Sequence, residues 1–322
     1  MPEAAPAPIQ PHEHTFCDTK ASVDAALSII RQYTTLAFDC EGRDLGETGG
    51  RLSLISLRTI SDDVSSCFSA GHTFLFDTIA LKRKYLLGVY AILESSAIKK
   101  VVFDGRKDFS SLYHDRGVEL RNVIDLQIAD IKSRALRGEQ NKGRMKRLEV
   151  AVDVRQLKRN PHLFVGMHKL NGLKNCAKEH IAFKAASGPR FDHSMWVTRP
   201  LPAEYLHHAT EDVVLIHQLY IQFLFCGWLF DGYLPSESMR YVSIWKDRRP
   251  LENEPFRNHG LLPFGIIDAA QTLGQELQRC AYCERALTKS CFPKNSQSRK
   301  CNVCRAVEFP PFWVRRKREA KA

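Results

Sequence analysis

The apolar positions of this chain follow two periods in turn. SVDAALSIIRQY (22–33) spaces them helically and predicts an opening helix. TTLAFD (34–39) predicts a short strand, and EGRDLGETGG, rich in Gly and charge, a turn. RLSLISLRTI (51–60) alternates with period two and predicts a half-buried strand; HTFLFDT (72–78) predicts a third. LKRKYLLGVYAILESS (81–96) is an amphipathic helix, and KKVVFDGRKD (99–108) a strand running into a turn. FSSLYHDRG (109–117) makes one or two helical turns ended by Gly117, and LRNVIDLQIADI (120–131) is a strand leading into a helix. Beyond 131 the pattern turns helical, with LNGLKNCAKEHIAF (170–183) and a long helix over 201–229 that has Pro202 near its first turn. Close-set strands followed by alternating strands and helices predict an α/β fold: a mixed five-stranded sheet flanked by helices.

The pattern weakens at both ends. Residues 1–17 are Pro/Ala-rich at their start and read as disordered. Residues 18–232 read as the main domain, 233–278, with several Gly and Pro and no clean periodicity, as a linker with some local structure, 279–308 as a zinc-binding module, and 309–322 as a basic tail. No apolar run approaches the ~18 residues of a membrane span, and the N-terminus has neither the basic nor the apolar region of a secretory signal. The expectation is an intracellular protein, of nucleus or cytoplasm, without a membrane partner.

Charge changes the picture through its placement. Of the net +11, residues 279–322 hold twelve Lys or Arg against three Asp or Glu, and 136–160 hold eight against three. Two basic patches on a near-neutral chain fit a polyanionic partner such as nucleic acid, although solvated surface charge would read the same.

Four acidic residues carry the candidate chemistry. Asp39 and Glu41 stand at the end of the first strand in FDCEG, and residues two apart on a strand share a face. Asp108 follows a later strand in VVFDGRKD, and Asp212 lies on the long helix in HHATED. Two like charges on one face repel unless a cation neutralises them, and Mg²⁺ or Mn²⁺ takes oxygen ligands. Taken singly, the first pair could be solvated loop residues, Asp108 an N-cap for the following helix and Asp212 an exposed helical acid.

In order and context the four residues resemble the DEDD 3'→5' exonucleases, in the branch that contains RNase D, Egalitarian and the exonuclease 3'-5' domain-containing proteins. AFDCEG (37–42) resembles the first motif, a hydrophobic strand ending in DxE; KKVVFDGRKDFSSLYHDRGVELRNVIDLQIAD (99–130) the second, with Asp108 four residues before Leu112; and MWVTRPLPAEYLHHATEDVVLIHQLY (195–220) the third. LNGLKNCAKEHI resembles the helix between the second and third motifs, so the likeness covers roughly residues 20–230.

This likeness implies an RNase H-like fold and two Mg²⁺ or Mn²⁺ held by Asp39, Glu41, Asp108 and Asp212. It also implies hydrolysis from a 3' end, single-stranded or frayed, with RNA somewhat favoured over DNA. One position departs from the pattern: this branch has Tyr four residues before the last Asp, where His208 stands here. A sister branch places His five residues before, matching His207. Either could orient or deprotonate the attacking water; His208 aligns with its own branch, and Tyr205 lies seven residues away. A non-catalytic nucleic-acid-binding or adaptor protein on the same fold is the alternative, and it predicts binding without product.

CAYC (280–283) and CNVC (301–304) form a C-x2-C-x17-C-x2-C pattern. That spacing predicts one structural Zn²⁺ held by Cys280, Cys283, Cys301 and Cys304, with Cys291 to spare. So small a segment needs the metal for its stability. The module could contact phosphates or recruit a protein partner. In the tail, Trp313 with Arg315, Arg316, Lys317 and Arg318 could stack on and pair with nucleic acid, or serve as a nuclear address.

Overall fold

A computed structural model describes residues 13–61, 71–184, 192–250, 260–267, 274–294 and 299–308. Strand β2 (Thr35–Arg43) organises the rest. Its alternation sends Leu36, Phe38 and Cys40 to one face, where they pack with Val23, Leu27 and Ile30 of helix α1 (Lys20–Ile30) and Val89 and Leu93 of α2 (Leu87–Glu94). Ala37 faces the other way, against Val213 and Ile216 of the long helix α8 (Ala203–Phe225). A sheet covered on both faces buries its polar alternates too. In β3 (Arg51–Ile60) Ser53, Ser56 and Thr59 are fully buried, so this strand is not half-exposed as its alternation predicts. Ser53 donates to the Trp196 carbonyl, and the Thr59 hydroxyl accepts from the His72 N–H at 2.9 Å.

Among the described residues the sheet has six strands, in the order β1-β4-β3-β2-β5-β6. β4 (Thr73–Asp77) and β2 run antiparallel to β3; β5 (Lys99–Val102) is parallel to β2, and β6 (Val123–Asp125) parallel to β5. The expected five-stranded sheet gains β1 (Thr15–Cys17), which pairs parallel with β4. The order therefore begins inside the segment 1–17 expected to be disordered. Three residues are too few for a period to show; an open strand edge recruits them through backbone hydrogen bonds. Residues 1–12 lie outside the described residues.

The local structure expected in 233–278 is more extensive than a linker needs, and it packs against the main domain. This stretch holds helix α9 (Leu234–Val242), which buries Leu234, Glu237, Ser238, Tyr241 and Val242. Ser238 accepts from the Asp125 N–H at 3.0 Å, and Tyr241 donates to Gln127. Leu261, Leu262, Phe264 and Ile266 are buried as well. Polar residues on the buried face of α9 and Pro235 in its first turn hide the helical period.

The C-terminal module contains a hairpin, β7 (Leu277–Arg279) and β8 (Ala286–Thr288), and helix α10 (Asn302–Val307). Its Leu287, Phe292, Val303 and Ala306 share one core with Leu148, Val152, Leu157 and Phe164. Those last residues belong to the region of helices α5 (Asn141–Leu148) and α6 (Val154–Arg159), which follow α4 (Leu126–Leu136) and precede α7 (Leu173–His180). The basic segment 136–160 is therefore partly structural: Arg144 donates to the Phe164 and Met167 carbonyls, and Arg147 to Glu139 and Glu179.

One glycine fixes the end of β2. The pairing with β3 slips after Glu41, so that Gly42 faces Leu52, and a Cβ on Gly42 would sit 2.3 Å from the Arg51 carbonyl oxygen. Backbone cannot yield as a flexible side chain can. Gly42→Ala is expected to cost about 1–3 kcal/mol, read as a lower midpoint in thermal unfolding; an unchanged midpoint would show that the bulge relaxes freely.

Candidate active site

Strand alternation, unbroken up to the slip after Glu41, puts Asp39 and Glu41 on the face of β2 that turns towards α8, in line with Ala37. Asp108 reaches them from helix α3 (Arg106–Ser111), where it lies inside the first turn rather than at the N-cap. Its Oδ1 accepts the Cys40 N–H at 2.7 Å, which locks α3 to the strand between the two acids. The turn launching α3 is held from β6: the Asp125 carboxylate accepts from Asp104 N–H at 3.2 Å and Gly105 N–H at 3.0 Å. Asp104 sits there with φ at 57°, the left-handed region that Asp and Asn tolerate.

Helix α8 brings the remaining groups. His208 and Asp212 are one turn apart, with His208 Nδ1 3.8 Å from Asp212 Oδ1 and Nε2 3.9 Å from Glu41 Oε1. Trp196, fully buried, stacks on the His208 ring at 6.2 Å between centroids. His207 is exposed on the outer side of the helix and takes no part in this cluster. Tyr205 packs edge-on against Trp196 and donates its hydroxyl to the Asp192 carbonyl at 2.9 Å, so it supports the wall rather than the site.

Burial dominates the electrostatics. It pushes Asp39 well above the ordinary carboxylate range, reinforced by Asp108, Glu41 and Asp212; Glu41 rises likewise from burial, then Asp212 and Asp108. Burial also pushes Asp108 up to about 7 and Asp212 up to about 7. The same burial, with the positive charge of Lys174 nearby, lowers His208 to about 4, so its imidazole is neutral at pH 7. Asp212 Oδ1 is buried with no hydrogen-bond partner. Four carboxylates crowded out of water, one oxygen of them unsatisfied, fit a site for hard divalent cations.

Asp39, Glu41 and Asp108 open into a cavity of about 360 Å³. Its walls include residues that the sequence pattern did not single out, among them Lys107, His193 and Trp245. His193 stands just before the MWVTRP stretch, a signal that could have marked it. Trp245 lies in the supposed linker and gave none.

A second cluster lies in the C-terminal module. Cys280 and Cys283 lie in the β7–β8 turn; Cys301 caps helix α10 (Asn302–Val307), and Cys304 sits in its first turn. The four sulfurs lie within 4.8 Å of one another, and Cys291 is not among them. The N–H groups of Cys301 and Tyr282 point at Cys280 Sγ, at 3.3 and 3.5 Å. Hydrogen bonds from Cys301 and Cys304 hold Cys283 down at about 2, at the expense of those two thiols, which rise. Sulfurs that compete for protons in this way suit a soft tetrahedral cation. By contrast Asp130, Cys176 and His180 form a saturated knot: Asp130 holds His180 at 2.9 Å, Asn171 at 3.2 Å and Arg134, and burial keeps the Cys176 thiol protonated. Arg315, Arg316, Lys317 and Arg318 lie outside the described residues.

Comparison with solved structures finds RNase D of Trypanosoma brucei at 18% identity and TM-score 0.55, covering 88% of this chain and 97% of that one. The same protein in complex with RNA U12 matches at 18% identity and TM-score 0.54, over 88% and 94%. At that identity the likeness speaks for the fold, an RNase H-like sheet with its helices. No curated protein matches by sequence. Among the described residues no helix is long and apolar enough to cross a membrane. The family model for 3'-5' exonuclease matches residues 15–224, from the edge strand through the helix that carries Asp212. That span exceeds half of the chain, and so it belongs to the 3'-5' exonuclease family as a hydrolytic exonuclease of the DEDD type.

Proposed function

We propose that the chain removes nucleotides from the 3' end of single-stranded or frayed nucleic acid, RNA in preference to DNA, at a site that holds two Mg²⁺ or Mn²⁺. The observation that carries this reading is the convergence of Asp39, Glu41, Asp108 and Asp212 in one cluster beside a neutral histidine, three of the acids facing one cavity. The preference for RNA draws on the fold neighbour solved with RNA U12.

The four carboxylates would hold the cations. Bound there, these supply charge neutralisation for the attacking and departing oxygens of the phosphodiester. The chain's own residues do the rest. Cys40 N–H fixes Asp108, strand alternation puts Glu41 on the face of Asp39, and Trp196 stacks on the His208 ring. His208 lies within 4 Å of both Glu41 and Asp212, and its neutral ring can accept the proton of the water that attacks in line. We also assign one Zn²⁺ to Cys280, Cys283, Cys301 and Cys304, as a structural ion. Free thiolates of this kind persist in a reducing compartment, which favours nucleus or cytoplasm.

The test is a gel assay with 5'-labelled single strands of RNA and DNA of matched sequence, in Mg²⁺, Mn²⁺ or EDTA. A ladder that shortens from the 3' end, needs metal and runs faster on RNA is expected. Intact strands with a mobility shift under every condition would refute hydrolysis in favour of a binding protein. In the same assay His208→Ala should slow turnover by roughly 10²-fold or more. His208→Tyr, the residue that the RNase D branch places there, should recover part of the loss, whereas His207→Ala should have little effect. Equal effects of the two alanine variants would argue against His208 as the proton acceptor.

A further inference from the structure

A second cavity, of about 290 Å³, adjoins the acidic one, and the two share Trp245 as a wall. One side of it is the segment after α9, carrying Trp245, Asp247 and Arg248; the other is the cysteine hairpin, carrying Arg279, Glu284 and Arg285. We propose that this cavity is a subsite for the phosphodiester backbone of the strand leading up to the terminal nucleotide, so that the cysteine module forms part of the substrate path. The proposal rests on the exonuclease reading above.

Three features carry it. The first is rigidity. The Trp245 carbonyl meets His114 Nε2 at 2.8 Å, the indole lies against the Arg106 guanidinium at 5.4 Å, and Tyr241 covers that guanidinium at 4.8 Å. Arg249 donates to the carbonyl of Glu47, a wall residue of the acidic cavity, at 2.9 Å. Across the groove, Arg285 Nε donates to the Phe264 carbonyl at 2.7 Å, which fixes the hairpin. Both walls are therefore built before any ligand arrives, which removes an ordering cost from binding.

The second is donor chemistry. Three guanidiniums, Arg248, Arg279 and Arg285, line the cavity beside two carboxylates and the Cys283 sulfur, so the number of its donors rather than its net charge suits a phosphodiester. Guanidinium is also the donor best matched in shape to phosphate oxygens. Arg279 is well placed to engage: its side chain is 74% exposed, and its pairing with Glu284, at 3.8 Å, is loose.

The third is position. The two cavities meet at Trp245, so a strand whose end lies among the acids and which leaves past that residue enters the basic cavity. Single-strand grooves that follow the backbone in this way bind without reading sequence.

The experiment uses the full-length, metal-replete protein with 5'-labelled single strands, a dinucleotide and an octanucleotide. The readout is the ratio of their kcat/KM values. In an Arg248→Gln, Arg279→Gln double variant this ratio should fall about fivefold or more, because phosphates of the longer strand are left without guanidinium partners. Glu284→Gln, which removes a competing carboxylate, should raise it, a gain that misfolding cannot mimic. Ratios equal to wild type in both variants would overturn the subsite. If wild type shortens no strand, the exonuclease reading has failed by itself. The subsite is then decided by fluorescence anisotropy of the labelled octanucleotide, with protein whose acidic site is cleared by Asp39→Asn. Weaker binding and a salt slope shallower by about 0.7 for each phosphate no longer neutralised would uphold it; unchanged affinity and slope would overturn it.

Discussion

Asp39→Asn is expected to abolish strand shortening, by about 10³-fold or more, while making the metal-free protein more stable. Both effects have one cause. In the folded chain Asp39 is pushed up by burial and by three other acids, and each acid ionised at pH 7 adds to the repulsion. An amide of the same shape removes one charge from that cluster. A gain of about 1–3 kcal/mol follows, roughly 3–10 °C in midpoint for a domain of this size.

The sign of the pH dependence follows from the same shifts. Asp108 and Asp212, at about 7 when folded, bind protons that the unfolded chain has already released, because its carboxylates titrate near 4. Stability in EDTA should therefore rise as pH falls from about 8 through about 7, and the rise should be smaller in Asp39→Asn. Adding Mg²⁺ or Mn²⁺ at neutral pH should stabilise wild type and do little for the variant. Thermal unfolding in EDTA and in metal, across that pH range, checks every part. A variant less stable than wild type in EDTA would mean that the carboxylate is already neutralised within the protein, contrary to the reading of a metal site.

Removal of metal from the cysteine cluster should have the next largest effect, and it should reach beyond the module. A structural zinc of this type contributes on the order of 10 kcal/mol to folding in isolated modules at neutral pH. Here the ligands sit in a core shared with the α5–α6 region. Phe292, Leu287 and Val303 pack with Leu148, Val152 and Phe164, and Cys280, Cys301 and Cys304 belong to the same cluster. Cys304→Ser, or a strong chelator, should therefore open residues 141–164 along with 277–308. Limited proteolysis should then cut in both segments, and hydrogen exchange should accelerate in both. Cleavage confined to the module would show that the shared core holds without the ion. Because Arg279 and Arg285 lie on the same hairpin, preference for longer strands should fall together with the metal.

How much of this was legible beforehand differs from element to element. The strands of β2 and β3, the helices α1 and α8 and the acids Asp39, Glu41, Asp108 and Asp212 all stood in the pattern, because a period of two or 3.6 and a DxE at a strand end are local properties. The paired CxxC turns were legible for the same reason. Three things were not. β1 is too short to show a period. α9 hides its buried face behind Glu237 and Ser238, which are satisfied by partners far away in sequence. Trp245 sits between two cavities only because α9 carries it there.

The choice between the two histidines shows where the boundary lies. Adjacent residues on a helix point about 100° apart, so the sequence could place His208, four residues before Asp212, on the face of that acid, but not say what the face meets. Only the docking of α8 against β2 turns one towards Glu41 and leaves the other in solvent. By itself the sequence determined which residue types were present, on which local elements and in what order, and that was enough to define the family. Tertiary structure alone decided which of them share a buried space, how far burial raises their carboxylates, and that the cysteine module stands beside the acidic cavity, because these depend on contacts between segments that no local period encodes.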